Sequence, residues 1–535
     1  MKTLYLKDDE KSIATAAEIL KGGGLVAIPT ETVYGLAANA LDGEAVKRIF
    51  EAKGRPQDNP LIVHVSCAQE IPPLVAETDE RLYALAEKFW PGPLTVVMKK
   101  SALIPDEVSA GLDTVAIRMP SHPAARAVIK ASGLPLAAPS ANLSGRPSPT
   151  KARHVMDDLE GKIDAVIDGG PCSVGVESTV ITLETEPPML LRPGGITPEQ
   201  LEEVLGKITV NHAVYEKLNE NEEARSPGMK YKHYAPKAEV TLIKGGFEVY
   251  EKYLKACGGD ICAVCYEGEG KNFETSVEFG KKDDCASQAR GIFEALRQVD
   301  EKGCKKAFVR CPEPRGIGLA VYNRLLRSAA FRVLDLDFGI AVYGITGQTG
   351  SGKSTLCKKA EDMGIAVIYT DKLARTALES KAVQKALTDA FGGDIIENGA
   401  VNRALLAKKA FSSPGGTELL NACTHPEIIR LTVDEIHRAQ KAGAKAALID
   451  APVLFATPLP AVCRKVICVT APANLRKERI KERDGLTDEQ ADMRINAQQS
   501  EEDYKAKSDF IIENISLEEA ENKLTEFFGK EGYYA

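Results

Sequence analysis

The fold of the last third of the chain is decided by residues 347–355, which read GQTGSGKST. This stretch matches the pattern GxxxxGK[ST]. It follows the apolar run 340–345, which is typical of a strand, and precedes a segment with helical spacing. In that context the loop wraps phosphates with backbone N–H groups, and the helix N-terminus adds partial positive charge. The pattern predicts a nucleotide-binding P-loop, with a glycine-rich turn that binds nothing as the alternative.

The positions of this loop have expected roles. Lys353 would reach the outer phosphates of ATP, and the Ser354 hydroxyl would bind the Mg²⁺ that bridges them. The loop alone does not distinguish a kinase from a GTPase or an ATPase. The residues expected to contact ATP are Gly347, Gly350, Ser351, Gly352, Lys353, Ser354 and Thr355.

Polar side chains after the P-loop narrow its chemistry. Asp371 follows the predicted strand 365–369, where its carboxylate could orient or deprotonate an acceptor hydroxyl, cap a helix N-terminus, or do both. Arg476, Arg479 and Arg483 cluster on a predicted helix. We expect Arg479 and Arg483 to close over the phosphates as a lid, and a solvated helix face is the alternative.

The rest of the chain divides into further α/β segments. With 535 residues it is too long for one hydrophobic core. Patterns of strands and helices cover 1–210, 237–335 and 339–535, and a linker covers 211–236. We predict a multidomain α/β protein with a small Rossmann-like α/β domain in the middle and a parallel sheet around the P-loop. The predicted strands of the first segment are 25–28, 61–65, 94–98, 115–119, 165–168 and 179–183.

Composition and charge argue against several classes of protein. The chain is 44% hydrophobic and 27% charged, and its formal net charge of −8 argues against a dedicated nucleic-acid binder, whose surface would be basic. No apolar run is long enough to span a bilayer, and residues 1–10 lack the apolar core of a signal peptide. We expect a cytoplasmic enzyme that acts on small molecules, without membrane contact.

Three of the twelve cysteines, Cys257, Cys262 and Cys265, have the Cx4CxxC spacing of some iron–sulfur ligands. Cys262 and Cys265 lie in the apolar run 261–266, which is typical of a buried strand, so their side chains point to opposite faces. We therefore expect reduced, inert thiols, no iron–sulfur cluster and no prosthetic group.

Small polar and basic residues collect in predicted loops of the first segment. Cations beside hydroxyl and amide groups suit a substrate set that combines a phosphate with a zwitterion. His64 lies in the apolar run 61–65, where a core histidine is ordinarily the favoured interpretation. The candidates from this pattern are Lys53, Arg55, Arg118, Ser140, Asn142 and Arg192.

The motifs of the last third occur in a specific order: GITG at 344–347, the P-loop, DKLAR at 371–375, Arg403, HP at 425–426, DAPVLF at 450–455 and RD at 483–484. In this order, residues 339–535 resemble the dephospho-CoA kinase family. The resemblance implies ATP-dependent phosphorylation of the ribose 3′-hydroxyl of dephospho-CoA, with Asp371 as base and Arg403 on the acceptor side. Two positions depart from the family pattern: Tyr369 replaces the first carboxylate of Asp-x-Asp, and Ala456 replaces a glutamate.

A second set of motifs covers residues 1–335: PTETVYGL at 29–36, KGRP at 53–56, WPGPLT at 90–95, PSAN at 139–142, ESTV at 177–180, LRPG at 191–194, MKYKHYAP at 229–236 and GIGLAVYNR at 316–324. They resemble the long form of the YrdC family, the L-threonylcarbamoyladenylate synthases. The resemblance implies a YrdC-type α+β domain with a twisted mixed sheet. The family joins L-threonine, bicarbonate and ATP into threonylcarbamoyl-AMP and pyrophosphate, and the product serves a tRNA-modifying threonylcarbamoyltransferase.

The same resemblance assigns residues to the two substrates. Lys53 would neutralise phosphates, Mg²⁺ would accompany ATP here as in the P-loop site, and residues 229–236 would order as a lid. The acidic net charge still argues against direct tRNA binding. ATP would meet Arg55, Asn59, Thr114, Ser140, Asn142, Ser148, Arg192 and Tyr234, and threonine would meet Thr32, His64, Arg118 and Ser178.

One alternative from other functional classes stays open. The first half could be an RNA-binding module, and the second half could be a regulatory nucleotide sensor that has lost its acceptor site at Tyr369 and Ala456. The net charge weighs against the RNA-binding half of this alternative.

Overall fold

The computed structural model describes residues 2–217, 234–496 and 498–533. This part of the chain forms two compact units: residues up to Ile243 together with Asp260–Val333, and Lys244–Gly259 together with residues from Leu334 onward. Strands and helices alternate through both units, which confirms the multidomain α/β class. The domain boundaries expected near 210, 236 and 335 stay a prediction. None of the described helices combines the length and apolar character that a membrane span needs.

The N-terminal segment contains eleven strands and seven α-helices in the described residues. The strands are β1 (Leu4–Lys7), β2 (Val26–Ile28), β3 (Gly35–Asn39), β4 (Ile62–His64), β5 (Leu94–Lys99), β6 (Thr114–Arg118), β7 (Leu136–Ala137), β8 (Ala165–Asp168), β9 (Thr179–Thr182), β10 (Met189–Arg192) and β11 (Thr209–Val210). The helices are α1 (Glu10–Lys21), α2 (Gly43–Lys53), α3 (Glu80–Phe89), α4 (Asp106–Ser109), α5 (Pro123–Ser132), α6 (Ala152–Leu159) and α7 (Pro198–Leu205).

These strands form one sheet in the order β1-β8-β2-β3-β7-β4-β6-β5-β9-β10-β11, with parallel and antiparallel pairs. Parallel pairing of β4 with β6 sets His64 beside Arg118. Antiparallel pairing of β5 with β6 sets Thr95 on the other side of Arg118. Because neighbouring strands are about 4.8 Å apart, these three side chains form a short polar row across the sheet.

The sequence Gly54-Arg55-Pro56 is a helix stop signal, and helix α2 ends directly before it. The Asp42 side chain accepts hydrogen bonds from the backbone N–H groups of Glu44 and Ala45 at the helix start. Gly54 terminates the helix with φ of 60°, a left-handed conformation that glycine adopts without steric cost. The turn leaves Lys53 as the last helical residue and places Arg55 just beyond it.

A second sheet follows, with the strand order β14-β13-β15-β12-β16. Its pairs β12–β15, β13–β15 and β13–β14 are parallel. Cys262 and Cys265 both lie on β13, and burial raises the pKa of each thiol to about 12. The elements are β12 (Glu239–Lys244), α8 (Phe247–Cys257), β13 (Ile261–Cys265), β14 (Ser276–Glu278), α9 (Cys285–Glu301), β15 (Lys306–Arg310), α10 (Gly318–Ser328) and β16 (Val333–Asp335).

The C-terminal segment contains a five-stranded sheet in the order β18-β21-β17-β22-β23, and every neighbouring pair is parallel. Its strands are β17 (Ala341–Thr346), β18 (Ala366–Tyr369), β21 (Ala446–Asp450), β22 (Lys465–Thr470) and β23 (Phe510–Glu513), and β19 (Ile396–Glu397) and β20 (Ala400–Val401) form a separate hairpin. The helices are α11 (Lys353–Asp362), α12 (Thr370–Ala377), α13 (Lys381–Phe391), α14 (Arg403–Ser412), α15 (Gly416–Lys441), α16 (Ala473–Asp484), α17 (Asp488–Asn496), α18 (Glu501–Ala506) and α19 (Leu517–Lys530).

We predict that Gly194→Ala destabilises the first unit by roughly 1–3 kcal/mol, the range typical of overpacking. A Cβ atom at Gly194 would lie 2.2 Å from the backbone nitrogen of Thr179 and 2.4 Å from the carbonyl oxygen of Glu177. Backbone atoms cannot move aside as a side chain can, so the segment 177–179 must shift. Thermal unfolding of the intact chain measures the effect.

Gly22→Ala is the matched control. A Cβ atom there meets carbonyl oxygens at 3.5 Å, an ordinary contact, and φ is −79°. Equal unfolding midpoints for the two variants would contradict the proposed close approach.

Candidate active sites

A cleft in the first unit, which we call the first cleft, brings together most of the side chains predicted for the N-terminal site. Its walls also include Thr30, Gly35 and Glu177. The predicted residues that line it are Arg55, His64, Arg118, Ser140, Asn142, Ser178, Arg192 and Tyr234.

His64 and Arg118 form a neutral and cationic pair in one wall. Burial, and after it the neighbouring Arg118 charge, lower the pKa of His64 to about 3, so the imidazole is neutral. Its Nδ1 lies 3.1 Å from the Ile62 carbonyl oxygen, which can only accept, so Nδ1 carries the proton. A neutral imidazole beside a guanidinium suits an amino acid, which offers an ammonium group and a carboxylate.

Arg118 is held by a buried carboxylate. Its Nη2 donates to Glu31 Oε1 at 2.7 Å, and Glu31 Oε2 accepts from the Ser121 N–H at 3.0 Å. Burial alone would raise the pKa of Glu31, but the charge and hydrogen bond of Arg118 hold it below its usual range. Arg118 Nε is buried without a hydrogen-bond partner among the described residues, which leaves one donor for a ligand.

Arg192 contacts Ser178 beside an irregularity in the pairing of two strands. The pairing of β10 with β9 shifts register between Leu190 and Arg192. Arg192 Nε then donates to the Ser178 carbonyl oxygen and Nη2 donates to Ser178 Oγ, both at 3.1 Å. Burial lowers the pKa of Arg192 to about 10, so it remains a cation at neutral pH.

Arg55 and the loop 140–142 supply a second polar wall. Arg55 Nη2 donates to the Asn59 carbonyl oxygen at 3.0 Å, and burial lowers its pKa to about 10. The Ser140 hydroxyl donates to Asn142 Oδ1 at 2.6 Å. Lys53 supports this loop from behind, because its ammonium group donates to the carbonyl oxygens of Ser140 and Asn142.

Five predicted residues are not among those that line the first cleft. Lys53 is buried under the loop 140–142, so a direct phosphate contact for it stays a prediction. Thr114 begins β6, the strand that ends at Arg118, roughly 13 Å away along an extended chain. The others are buried near the walls: Thr32 beside Thr30, Ser148 hydrogen-bonded to Glu177, and Asn59, whose side-chain amide atoms have no partner in the described residues.

Only part of the predicted lid is described. Residues 229–233 lie outside the described residues, and Tyr234 is the first residue after them. Its φ of 63° is left-handed, and its ring lies 5.2 Å from that of Phe293 on α9. Tyr234 lines the first cleft, whereas closure of the lid on ATP stays a prediction.

The P-loop occupies the turn between β17 and α11. Gly347 has no room for a side chain, because a Cβ atom would lie 2.3 Å from the Val469 carbonyl oxygen. Gly350 and Gly352 have φ of 82° and 87°, in the left-handed region that glycine favours. Ser351 is buried, and Ser354 and Thr355 are exposed on the first turn of α11.

The lysine of this loop is paired with a carboxylate that sequence analysis did not select. Lys353 Nζ donates to Asp450 Oδ1. Asp450 ends β21 and lies in register with Ile345 on β17 and Tyr369 on β18. The DAPVLF motif at 450–455 was the signal that could have identified it.

The acceptor side is open around Asp371. Tyr369 is the N-cap of α12 and Asp371 lies within its first turn, so the helix-cap alternative for Asp371 is wrong. Asp371 and Arg403, the first residue of α14, are both exposed. Tyr369 donates a hydrogen bond to Glu361 at 3.0 Å, and the Lys372 ammonium lies 4.3 Å from its ring centroid.

The two arginines predicted as a lid differ in position. Arg479 donates to the carbonyl oxygens of Gly350 at 3.4 Å and Asn514 at 3.2 Å, so it touches the P-loop. Arg483 donates two 2.8 Å hydrogen bonds to the adjacent Asp484 on the surface, the solvated-face alternative. Gln498 also contacts the P-loop, accepting from the Thr349 N–H at 2.8 Å. No pattern in the sequence indicated Gln498.

Comparison with known proteins finds relatives for each part. The family model described as Telomere recombination (Sua5, YciO, YrdC) matches residues 18–194, that for the Threonylcarbamoyl-AMP synthase C-terminal domain matches 196–330, and that for Dephospho-CoA kinase matches 341–519. The threonylcarbamoyl-AMP synthase of Pyrococcus abyssi is 46% identical over 334 residues, 61% of this chain and 96% of that protein. The Bacillus subtilis enzyme is also 46% identical, with 62% and 96% covered.

The C-terminal part is similar to a different enzyme, and the N-terminal part is similar to a protein of known structure. The dephospho-CoA kinase of Anaeromyxobacter dehalogenans is 34% identical over 181 residues, 34% of this chain and 86% of that protein. The crystal structure of P. abyssi Sua5 complexed with L-threonine is 44% identical and superposes with a TM-score of 0.59. It covers 63% of this chain and 99% of that one.

We predict that His64 does not titrate from about pH 5 to 9, where an unperturbed histidine would. Its pKa of about 3 keeps the imidazole neutral over this range. NMR of the labelled imidazole measures this directly, and His64→Gln assigns the signal. A titration near neutral pH would show that the wall of the first cleft is wetter than the structure indicates.

We also predict that Arg479→Ala raises the KM for ATP in dephospho-CoA phosphorylation about tenfold, the loss expected for a charged contact. The side chain touches the P-loop carbonyl of Gly350. Arg483→Ala, which removes an equal charge from the same helix, should change this KM less than about twofold because the Arg483 contact is a surface pair. Equal effects would reject a specific role for Arg479.

Proposed function

This chain belongs to the threonylcarbamoyl-AMP synthase family and, in its C-terminal part, to the dephospho-CoA kinase family, and from this premise we propose two reactions. The first joins L-threonine, bicarbonate and ATP into L-threonylcarbamoyl-AMP, pyrophosphate and water. The second transfers the γ-phosphoryl group of ATP to the 3′-hydroxyl of dephospho-CoA. The register that sets His64 beside Arg118, in a cleft that also holds Arg55 and Arg192, carries the first proposal.

The first reaction needs positioned charge rather than a protein nucleophile. The threonine nitrogen attacks the carbon of bicarbonate, and loss of water from the adduct gives a carbamate. A carbamate oxygen then attacks the α-phosphorus of ATP, which expels pyrophosphate. Arg118 and neutral His64 would hold threonine. L-Threonine is the ligand in the solved complex of the P. abyssi relative, which supports threonine as the substrate. Arg55 and Arg192 would stabilise the charge that develops on the α-phosphate.

The second reaction follows from the P-loop and the carboxylates around it. Lys353 would leave Asp450 to bind the outer phosphates, and exposed Ser354 would bind the Mg²⁺ that arrives with ATP. Exposed Asp371 would accept the proton of the ribose hydroxyl. The backbone N–H groups around Gly350 and Gly352 would hold the triphosphate.

A nucleotide sensor is the second candidate for the C-terminal part. At position 369, where the family carries a carboxylate, this chain has a tyrosine that is hydrogen-bonded to Glu361 and lies under the Lys372 ammonium group. At position 456 it has an alanine, which offers no acidic group. Such a sensor would bind ATP without phosphorylating dephospho-CoA. ADP release that depends on dephospho-CoA distinguishes the two candidates.

Reciprocal variants test whether the two sites act separately. Lys353→Ala is expected to reduce dephospho-CoA phosphorylation roughly a thousandfold, because the cation on the outer phosphates is lost. Arg55→Ala is expected to reduce threonylcarbamoyl-AMP formation on the order of a hundredfold, because a transition-state charge contact is lost. ADP release and pyrophosphate release from the intact chain measure the two reactions.

Each variant serves as the control for the other. Threonine- and bicarbonate-dependent pyrophosphate release should persist in Lys353→Ala, and ADP release should persist in Arg55→Ala. Loss of both reactions from one folded variant would contradict two independent sites. A wild-type chain that makes no threonylcarbamoyl-AMP would refute the first proposed reaction.

A further inference from the structure

A fully buried arginine on α10, a helix between strands of the second sheet, contacts the wall of the first cleft. Arg324 lies on α10, is 0% exposed, and belongs to the same compact unit as the cleft. Its Nε donates to Glu177 Oε2 at 2.7 Å, and Nη1 donates to Asn323 Oδ1 at 3.0 Å. Asn323 is anchored in turn to the Val214 carbonyl oxygen at 2.8 Å. The guanidinium is therefore fixed in place by its surroundings.

Glu177 links this arginine to a residue expected at the ATP site. One carboxylate oxygen accepts from Arg324, and the other accepts from Ser148 Oγ at 2.5 Å. Glu177 itself lines the first cleft, whereas Arg324 lies behind it. The three side chains thus form a continuous chain of hydrogen bonds from α10 to the cleft wall.

The carboxylate of Glu177 needs a counter-ion if the first cleft is to receive a triphosphate. An unneutralised carboxylate in the wall of a cleft that receives a triphosphate would repel it at short range. Burial alone would raise the pKa of Glu177, but the Arg324 and Arg192 charges and the Ser148 hydrogen bond keep it below its usual range. Glu177 is therefore ionised, and it forms a buried ion pair with Arg324, whose Nε lies 2.7 Å from Glu177 Oε2.

The end of the linker rests on the same arginine. The Arg324 guanidinium carbon lies 5.7 Å from the ring centroid of Tyr234, within the range of a cation–π contact. Tyr234 also lines the first cleft. One side chain of α10 therefore touches two separate segments of the cleft wall.

We infer that Arg324 is a positioning residue of the synthase: it neutralises Glu177 and holds it against Ser148, so that the first cleft accepts the polyphosphate of ATP. The inference rests on the proposed synthesis of threonylcarbamoyl-AMP. It gives the segment 237–335 an indirect part in ATP binding, because Arg324 acts through Glu177 and does not touch the substrate.

A double-mutant cycle on the intact chain tests the inference. Arg324→Met should raise the KM for ATP in pyrophosphate release at least about tenfold, because buried Glu177 loses its ion-pair partner. Adding Glu177→Gln should recover a large part of this loss, because the repelling charge is gone while an oxygen remains for Ser148. A double variant no better than Arg324→Met would overturn the inference, since a purely structural role predicts no recovery.

Arg297→Met separates charge in the cleft from general stability. Like Arg324, Arg297 is a buried arginine: it lies on α9 and pairs with the buried carboxylate of Asp158 at 2.9 Å. Neither Arg297 nor Asp158 lines the first cleft. Thermal unfolding should show that both single variants are destabilised. The pyrophosphate-release assay should show a large change in the KM for ATP only for Arg324→Met. An equal KM change in both would overturn the inference. A wild-type KM for ATP in Arg324→Met would overturn it as well, while an inactive wild-type chain would instead count against the proposed reaction.

Discussion

The ion pair between Arg118 and Glu31 allows a full positive charge to lie buried in the wall of the first cleft. A lone buried charge is costly, and a buried pair is tolerated when both members are also hydrogen-bonded. Glu31 meets this condition by accepting from the Ser121 N–H as well as from Arg118. The wall of the cleft can then contain the Arg118 guanidinium without the free-energy penalty of an isolated buried charge. The Arg118 Nε–H group remains available to a ligand.

The same arrangement recurs where other ligand-binding groups lie. Glu177 pairs with Arg324, and in the P-loop site Lys353 pairs with Asp450. In each case a carboxylate balances a cation before any anionic substrate arrives. In the proposed reactions, Lys353 would exchange Asp450 for the phosphates of ATP, whereas Arg324 and Glu177 would stay paired with each other. This distinction separates groups that act on a substrate from groups that hold the site in shape.

Sequence patterns predicted the parts of this structure whose signals are local. The P-loop, the stop of α2 at Gly54 and the parallel C-terminal sheet each depend on a few adjacent residues or on a regular period. The patterns missed short strands such as β3, where the first four residues of GLAAN are buried and the sequence shows no alternation. Other elements that no pattern located include strands β1, β7, β11, β14, β16, β19 and β20 and helix α8.

Pairs between distant residues were beyond the same methods. Glu31 and Arg118 are 87 positions apart, and Lys353 and Asp450 are 97 apart. The motifs containing Glu31, Glu177, Arg324 and Asp450 were visible, but their partners depend on how strands and helices meet in three dimensions. The register of β4 against β6, which turns His64 from a core residue into a cleft residue, is likewise a tertiary property.

The distance in sequence between Glu177 and Arg324 has a consequence during synthesis on the ribosome. The two residues are separated by 147 positions, so Glu177 leaves the exit tunnel long before its partner exists. At a translation rate of about 5–20 residues per second, the interval is roughly 7 to 30 s. During this time the nascent N-terminal segment holds an acidic group without its counter-ion. The hydrogen bonds in the wall of the first cleft are therefore complete only after α10 has been translated.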